Sequence, residues 1–127
     1  MERLERKICL DTDVVIAILN NEPRSFQIVD RIESYEAHIT VITLFELLCR
    51  ETSLEKIEIF KEKVNILEFN EVAAREASLI LKNLKKKGRP IDFRDIFIAS
   101  ICIVNNCYLA TFNIKHFKNI DGLKLIE

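Results

Sequence analysis

Apolar residues fall along this chain in two rhythms that take turns. Short dense runs at 7–10, 37–40, 64–69, 108–110 and 123–126 have the length of strands buried on both faces. Between them lie longer stretches of helical character, at 14–20, 25–34, 41–50, 54–62, 71–87 and 93–104. Phe26, Val29 and Ile32 share one face of the second, and Ala74, Ala77, Leu81 and Leu84 form the stripe of the fifth. The boundaries carry their own signals. Asn20-Asn21-Glu22-Pro23 ends the first helix, because proline disfavours helical geometry in the residue before it. Ser53, Asn70 and Asp92 are placed as N-caps, Lys85-Lys86-Lys87 suit the negative end of a helix, and Gly88 stops it. Strands alternating with helices predict an α/β arrangement, a mainly parallel sheet covered by helices, which takes its ligands at the carboxyl ends of the strands. Asp11 and Asn113 lie at or just beyond two such ends.

Three carboxylates interrupt the apolar pattern. Asp11 closes Ile8-Cys9-Leu10, Glu46 stands inside Thr43-Leu44-Phe45-Glu46-Leu47-Leu48, and Asp95 opens Ile96-Phe97-Ile98-Ala99-Ser100-Ile101. A charge taken out of water without a partner costs roughly several kcal/mol, so acids held at the edges of hydrophobic elements imply a shared cation. Ligation by carboxylates alone points to Mg²⁺ or Mn²⁺ rather than zinc. Such ions neutralise a phosphate and acidify water, and the two effects together suffice for phosphodiester hydrolysis. No His or Lys nearby recommends itself as a dedicated base, so catalysis is assigned to a water activated by the cation.

With 127 residues the chain is long enough for one domain with a single core, and 49% hydrophobic with 31% charged residues fits a folded protein. Two glycines and two prolines point to long regular elements and short loops. A net charge of −1 gives no support to nucleic-acid binding by the chain as a whole, but a dication in an acidic cluster reverses the sign locally. Cys9, Cys49, Cys102 and Cys107 form no C-x-x-C pair and read as free thiols, Cys9 and Cys102 buried, in a reducing compartment. No apolar run reaches the roughly 18 residues of a membrane span, and no signal-peptide core follows the charged start. A cytoplasmic protein is expected.

Four segments occur in order: Leu10-Asp11-Thr12-Asp13-Val14-Val15-Ile16, Thr43-Leu44-Phe45-Glu46-Leu47, Asp92-Phe93-Arg94-Asp95-Ile96-Phe97-Ile98-Ala99-Ser100 and Thr111-Phe112-Asn113-Ile114-Lys115-His116-Phe117. Each is common alone. Together, at these separations, they resemble the PIN-domain nucleases, and among them the small VapC-like toxins of prokaryotic toxin–antitoxin pairs. The resemblance spans nearly the whole chain and implies a single three-layer PIN-like domain over 1–127. It implies that Asp11, Glu46 and Asp95 are catalytic residues and ligands of Mg²⁺ or Mn²⁺, with Asp92 and Asn113 in support. Asn113 stands where many members carry a fourth acid, and its neutrality argues against tight binding of a second ion. RNA as substrate, a cognate antitoxin protein and a homodimer are implied as well, with the apolar helices at 26–32 and 45–48 as candidate faces for the dimer. Thr111, His116, Lys87 and Arg89 are the candidates for substrate contact, and for the basic run at 82–89 a solvated helix end is the competing reading.

Plainer readings compete at several positions. Asp13 directly precedes the first helix and is expected to cap it, Thr12 to serve the turn, and Arg94 to balance the acids around it. Neither His38 nor His116 has a second His or Cys at ligand spacing, which makes zinc improbable. Haloacid-dehalogenase-like phosphatases also start from D-x-D, with the first Asp as nucleophile. Here Val14-Val15 and the want of a later lysine segment and Gly-Asp motif speak against them. The other alternative is a PIN-fold module that binds RNA or protein without cutting, kept open by the neutral Asn113.

Overall fold

Five strands, β1 (Lys7–Leu10), β2 (Glu36–Thr40), β3 (Asn65–Leu67), β4 (Cys107–Ala110) and β5 (Lys124–Leu125), pair in the order β3-β2-β1-β4-β5. Every pairing in the computed structural model, which describes residues 6–126, is parallel. Successive residues of a strand face opposite sides, and here both sides are buried. Ile8 and Leu10 join Ile39 and Ala110 in one core, while Cys9 joins Cys107 and Leu109 in the other. The first core is covered by α1 (Thr12–Leu19), α2 (Phe26–Ile32), α3 (Val41–Leu48) and α4 (Leu54–Lys61). The second is covered by α5 (Glu71–Lys87), α6 (Phe93–Val104) and α7 (Ile114–Phe117). This is the expected three-layer α/β arrangement, with a sheet that is wholly rather than mainly parallel among the described residues. All four cysteines are free thiols, with only Cys49 exposed. No helix among the described residues is long and apolar enough to cross a membrane.

Several helix ends follow their predicted signals. Asn70 Oδ1 accepts from the amide of Ala73 at 3.0 Å, Asp92 Oδ1 accepts from that of Arg94 at 2.8 Å, and Gly88, at φ +67°, ends α5. Other details differ. The cap of α1 is Asp11, not Asp13. The Asp11 amide donates to the carbonyl of Ala110 at 2.9 Å, one step beyond the β1–β4 ladder, which keeps residue 11 extended and lets the helix begin at Thr12. Asp13 is thereby left inside the first turn. Ser53 stands before α4 in the left-handed region, at φ +66°, and makes no capping bond with its side chain. The buried stripe of α5 is Ala73, Ala77, Ile80 and Leu84, whereas Ala74 and Leu81 line an open groove beside Phe93 and Phe97 of α6. Phe26 and Val29 of α2 are exposed, and Ile28 and Ile32 turn to the core instead.

Candidate active site

β1, β2 and β4 are neighbours in the sheet, so the residues that follow their carboxyl ends are gathered along one edge. Asp11 is 5% exposed there. Its Oδ1 accepts from the Thr12 amide at 2.9 Å and its Oδ2 from the Thr111 hydroxyl at 2.7 Å. Burial nonetheless pushes the carboxyl up to about 6, with the like charges of Asp95 and Asp13 adding to the effect.

Glu46 arrives from β2. The Thr40 hydroxyl caps α3 by accepting from the Thr43 amide at 3.1 Å, and Thr43 lies one turn before Glu46 on the same helical face. The Thr12 hydroxyl meets both, at 2.5 Å from Glu46 Oε1 and 3.0 Å from Thr43 Oγ1. An ionised carboxylate only accepts, so Thr12 donates to Glu46 and takes the Thr43 proton. On its other side, Glu46 Oε2 is 3.2 Å from Arg94 Nη1.

Asp95 stands in the first turn of α6, one turn after its cap, Asp92. Its Oδ2 is 3.4 Å from His116 Nδ1, an imidazole brought in by α7. Burial pushes the Asp95 carboxyl up, His116 pulls it down, and Asp92 and Glu46 add to the rise. Asp11 therefore feels the charge of Asp95, and Asp95 that of Glu46. Three acids far apart in sequence form one electrostatic cluster.

Among the described residues, no three His, Cys, Asp or Glu side chains are grouped so as to hold a metal ion. Each acid is turned to protein donors: Asp11 to Thr12 and Thr111, Glu46 to Thr12 and Arg94, Asp95 to His116. As chemistry the set fits a small dication, being all hard oxygen donors, two of them in carboxyls whose charge burial disfavours. An ion would compete with Arg94 and His116 for Glu46 and Asp95.

The remaining candidates take more local roles. Asp92 holds the Arg94 amide and the Arg94 Nε, at 2.8 and 3.1 Å, and these bonds keep its carboxyl below the usual range. Arg94 does balance the acids, since it spans Asp92 and Glu46. Asn113 donates from Nδ2 to Asp13 Oδ2 at 3.1 Å, tying the segment after β4 to α1. Thr111, a candidate for substrate contact, is 5% exposed and its hydroxyl is engaged by Asp11, which makes it a support for that carboxylate. Lys87 donates to the Asn119 carbonyl and pairs with Asp121, at 2.9 and 3.0 Å, and so pins the end of α5 to the loop after α7. Arg89 is exposed between α5 and α6. The residue that sequence reasoning undervalues is Thr12. Its amide serves Asp11 as a turn residue would, but its hydroxyl reaches Glu46. The only trace in the sequence is a threonine wedged between two acids.

A family model of the PIN domain matches residues 8–123. The chain is 34% identical to ribonuclease VapC1 of Methanocaldococcus jannaschii, across 100% of this chain and 92% of that protein. It is 32% identical to ribonuclease VapC1 of Haemophilus influenzae strain R2866, across 91% of this chain and 92% of that protein. Among solved structures, VapBC-1 from nontypeable Haemophilus influenzae superposes with a TM-score of 0.84 at 30% identity, over 95% of this chain and 97% of that one. In each case the likeness spans more than nine-tenths of both chains.

Proposed function

The chain belongs to the PIN-domain family, and from that premise we propose that it is a divalent-metal-dependent endoribonuclease, the toxin of a VapBC-type toxin–antitoxin pair. The observation that supports this reading best is the cluster of Asp11, Glu46 and Asp95 at one edge of the sheet, each carboxylate aimed by a neighbour. These three would hold Mg²⁺ or Mn²⁺, which when bound supplies positive charge at the scissile phosphate and acidifies water beside it. The chain's own residues set the geometry. Thr111 and the Thr12 amide fix the two oxygens of Asp11, and the Thr12 hydroxyl fixes one oxygen of Glu46. Asp92 supports the site by capping the helix that carries Asp95 and by steering Arg94. Asn113 supports it by holding α1 against the segment after β4. His116, half exposed beside Asp95, and Arg89 on the adjoining loop are the residues best placed to meet an RNA phosphate.

The partners are RNA, a cognate antitoxin and a second copy of the chain. Exposed Phe26, Val29, Phe45 and Leu48 on the α1–α4 layer offer apolar surface of the kind protein partners cover. A cytoplasmic site of action fits RNA as the substrate. Protein freed of antitoxin is expected to cut structured RNAs at discrete positions when given Mg²⁺ or Mn²⁺, and to stop in chelator. Intact RNA across a varied panel would sink the reading.

Thr12 gives a finer test. Thr12→Val keeps the backbone amide on Asp11 but removes the hydroxyl from Glu46. Supporting bonds of this kind are worth about 10–100-fold in metal affinity or activity. Calorimetry with Mn²⁺ is expected to show weaker binding and cleavage assays a matching drop, both restored in Thr12→Ser.

A further inference from the structure

Between α2 and the segment that follows β4 lies a cleft of about 500 Å³, a size suited to a small organic ligand. Thr111 forms part of its wall and donates to Asp11, so the cleft and the acid cluster share a residue. The lining brings together the guanidinium groups of Arg24 and Arg31, the amide of Gln27, the ring of Phe112 and an apolar floor that includes Ile28. No carboxylate is among the described lining residues. Arg24 Cζ stands 4.4 Å from the centroid of the Phe112 ring, and Glu22 Oε1 holds its Nε at 2.9 Å, which fixes the plane of the guanidinium. Arg24 remains 55% exposed.

A guanidinium layered on an aromatic ring makes a flat, cationic surface. Unpaired bases stack on such surfaces, whereas a base inside a duplex cannot reach them. Two cations without a carboxylate suit a phosphate ester, and Gln27 adds a donor and an acceptor for a base edge. We propose that this cleft receives an unpaired nucleotide adjoining the scissile phosphate of the RNA substrate, its base against the Arg24–Phe112 layer. An antitoxin segment is the competing occupant. The cationic lining and the residue shared with the phosphodiester site favour RNA.

The inference rests on the ribonuclease reading, and its test keeps the two apart. A fluorescent single-stranded RNA is bound to the Asp95→Asn protein, with an abasic nucleotide walked along the sequence. One position is expected to cost about tenfold in affinity, the worth of a stacked base, and adding Arg24→Ala is expected to cost a similar factor. The two losses should not add, because they remove the same contact. In a protein that cuts, Arg24→Ala should raise KM about tenfold and change kcat far less. Abasic penalties that persist unchanged in Arg24→Ala would overturn the cleft assignment while leaving a cutting protein a nuclease. Weakened antitoxin binding with unaltered RNA affinity would overturn it in favour of a protein-filled cleft. Arg24-dependent binding at one nucleotide in a protein that never cuts would uphold the cleft and sink the ribonuclease reading.

Discussion

Asp95→Asn is expected to lower RNA cleavage about 10³-fold or more while the protein stays folded. The amide keeps the shape of the side chain, and the α6 cap, which belongs to Asp92, is untouched. What disappears is one of three negative charges that would hold the dication. Metal-mediated charge stabilisation is worth several kcal/mol in the transition state, and about 4 kcal/mol corresponds to 10³ in rate. Stability should hardly suffer. Burial already disfavours the ionised form of Asp95, and its contact with the half-exposed His116 belongs to a class that contributes little. Asp92→Asn, three residues earlier, is the control. Asparagine caps a helix as well as aspartate, so activity should stay within a few-fold. The readouts are kcat/KM in Mg²⁺ and circular dichroism for each variant. Cleavage that survives Asp95→Asn would place the chemistry on other residues. A protein inactive before and after the change, yet binding RNA equally in both forms, would be the silent module.

That two aspartates in one short segment divide their labour was legible in the sequence, because both signals are local. Asp92 precedes an apolar run after a proline, as caps do, and Asp95 stands where that run begins. The same locality explains the positions of Asp11 and Glu46, each at or within an element whose burial the apolar pattern announces. It fails where the deciding partner is distant. Asp11 and Asp13 are both sound caps for a helix starting near Val14. The choice was made by Ala110, which extends the strand by one residue and passes the cap to Asp11. In α5 two apolar stripes lie side by side at helical spacing, and packing against α6 selects Ala73 and Ile80 over Ala74 and Leu81. The contacts that aim the acids are more distant still. Thr12 meets Glu46 across 34 positions and Thr111 meets Asp11 across 100. Edge residues of apolar runs can be read from one chain segment. Hydrogen bonds between the ends of different strands need the strand order first.

Asp11→Asn is expected to make the protein more stable at neutral pH in chelator, by up to about 3 kcal/mol, while removing divalent-metal binding. Burial raises the Asp11 carboxyl from its ordinary 3.8 to about 6 in the folded chain. The folded state therefore holds this proton more tightly than the unfolded state does. Its contribution is most favourable below pH 3.8, declines as pH rises through the interval to about 6, and stays low above it. At about 1.4 kcal/mol per pKa unit, that interval amounts to about 3 kcal/mol. An asparagine never ionises. Its oxygen can still accept from the Thr12 amide, and its Nδ2 can donate to Thr111, whose hydroxyl has a lone pair left beside the one used by Asn113. Urea unfolding at pH 5 and pH 7.5 measures the effect. The variant's advantage should widen with pH, and Mn²⁺ should then close it by stabilising the unmodified protein alone. A difference that does not change with pH, or a variant less stable at pH 7.5, would contradict the argument. A carboxylate that weakens its own fold at the pH where it is charged is poorly explained as a turn or cap residue, since an uncharged asparagine would serve both. It is well explained by a cation that restores the lost free energy on binding, and this makes Asp11 the position where stability and function should trade against each other most openly.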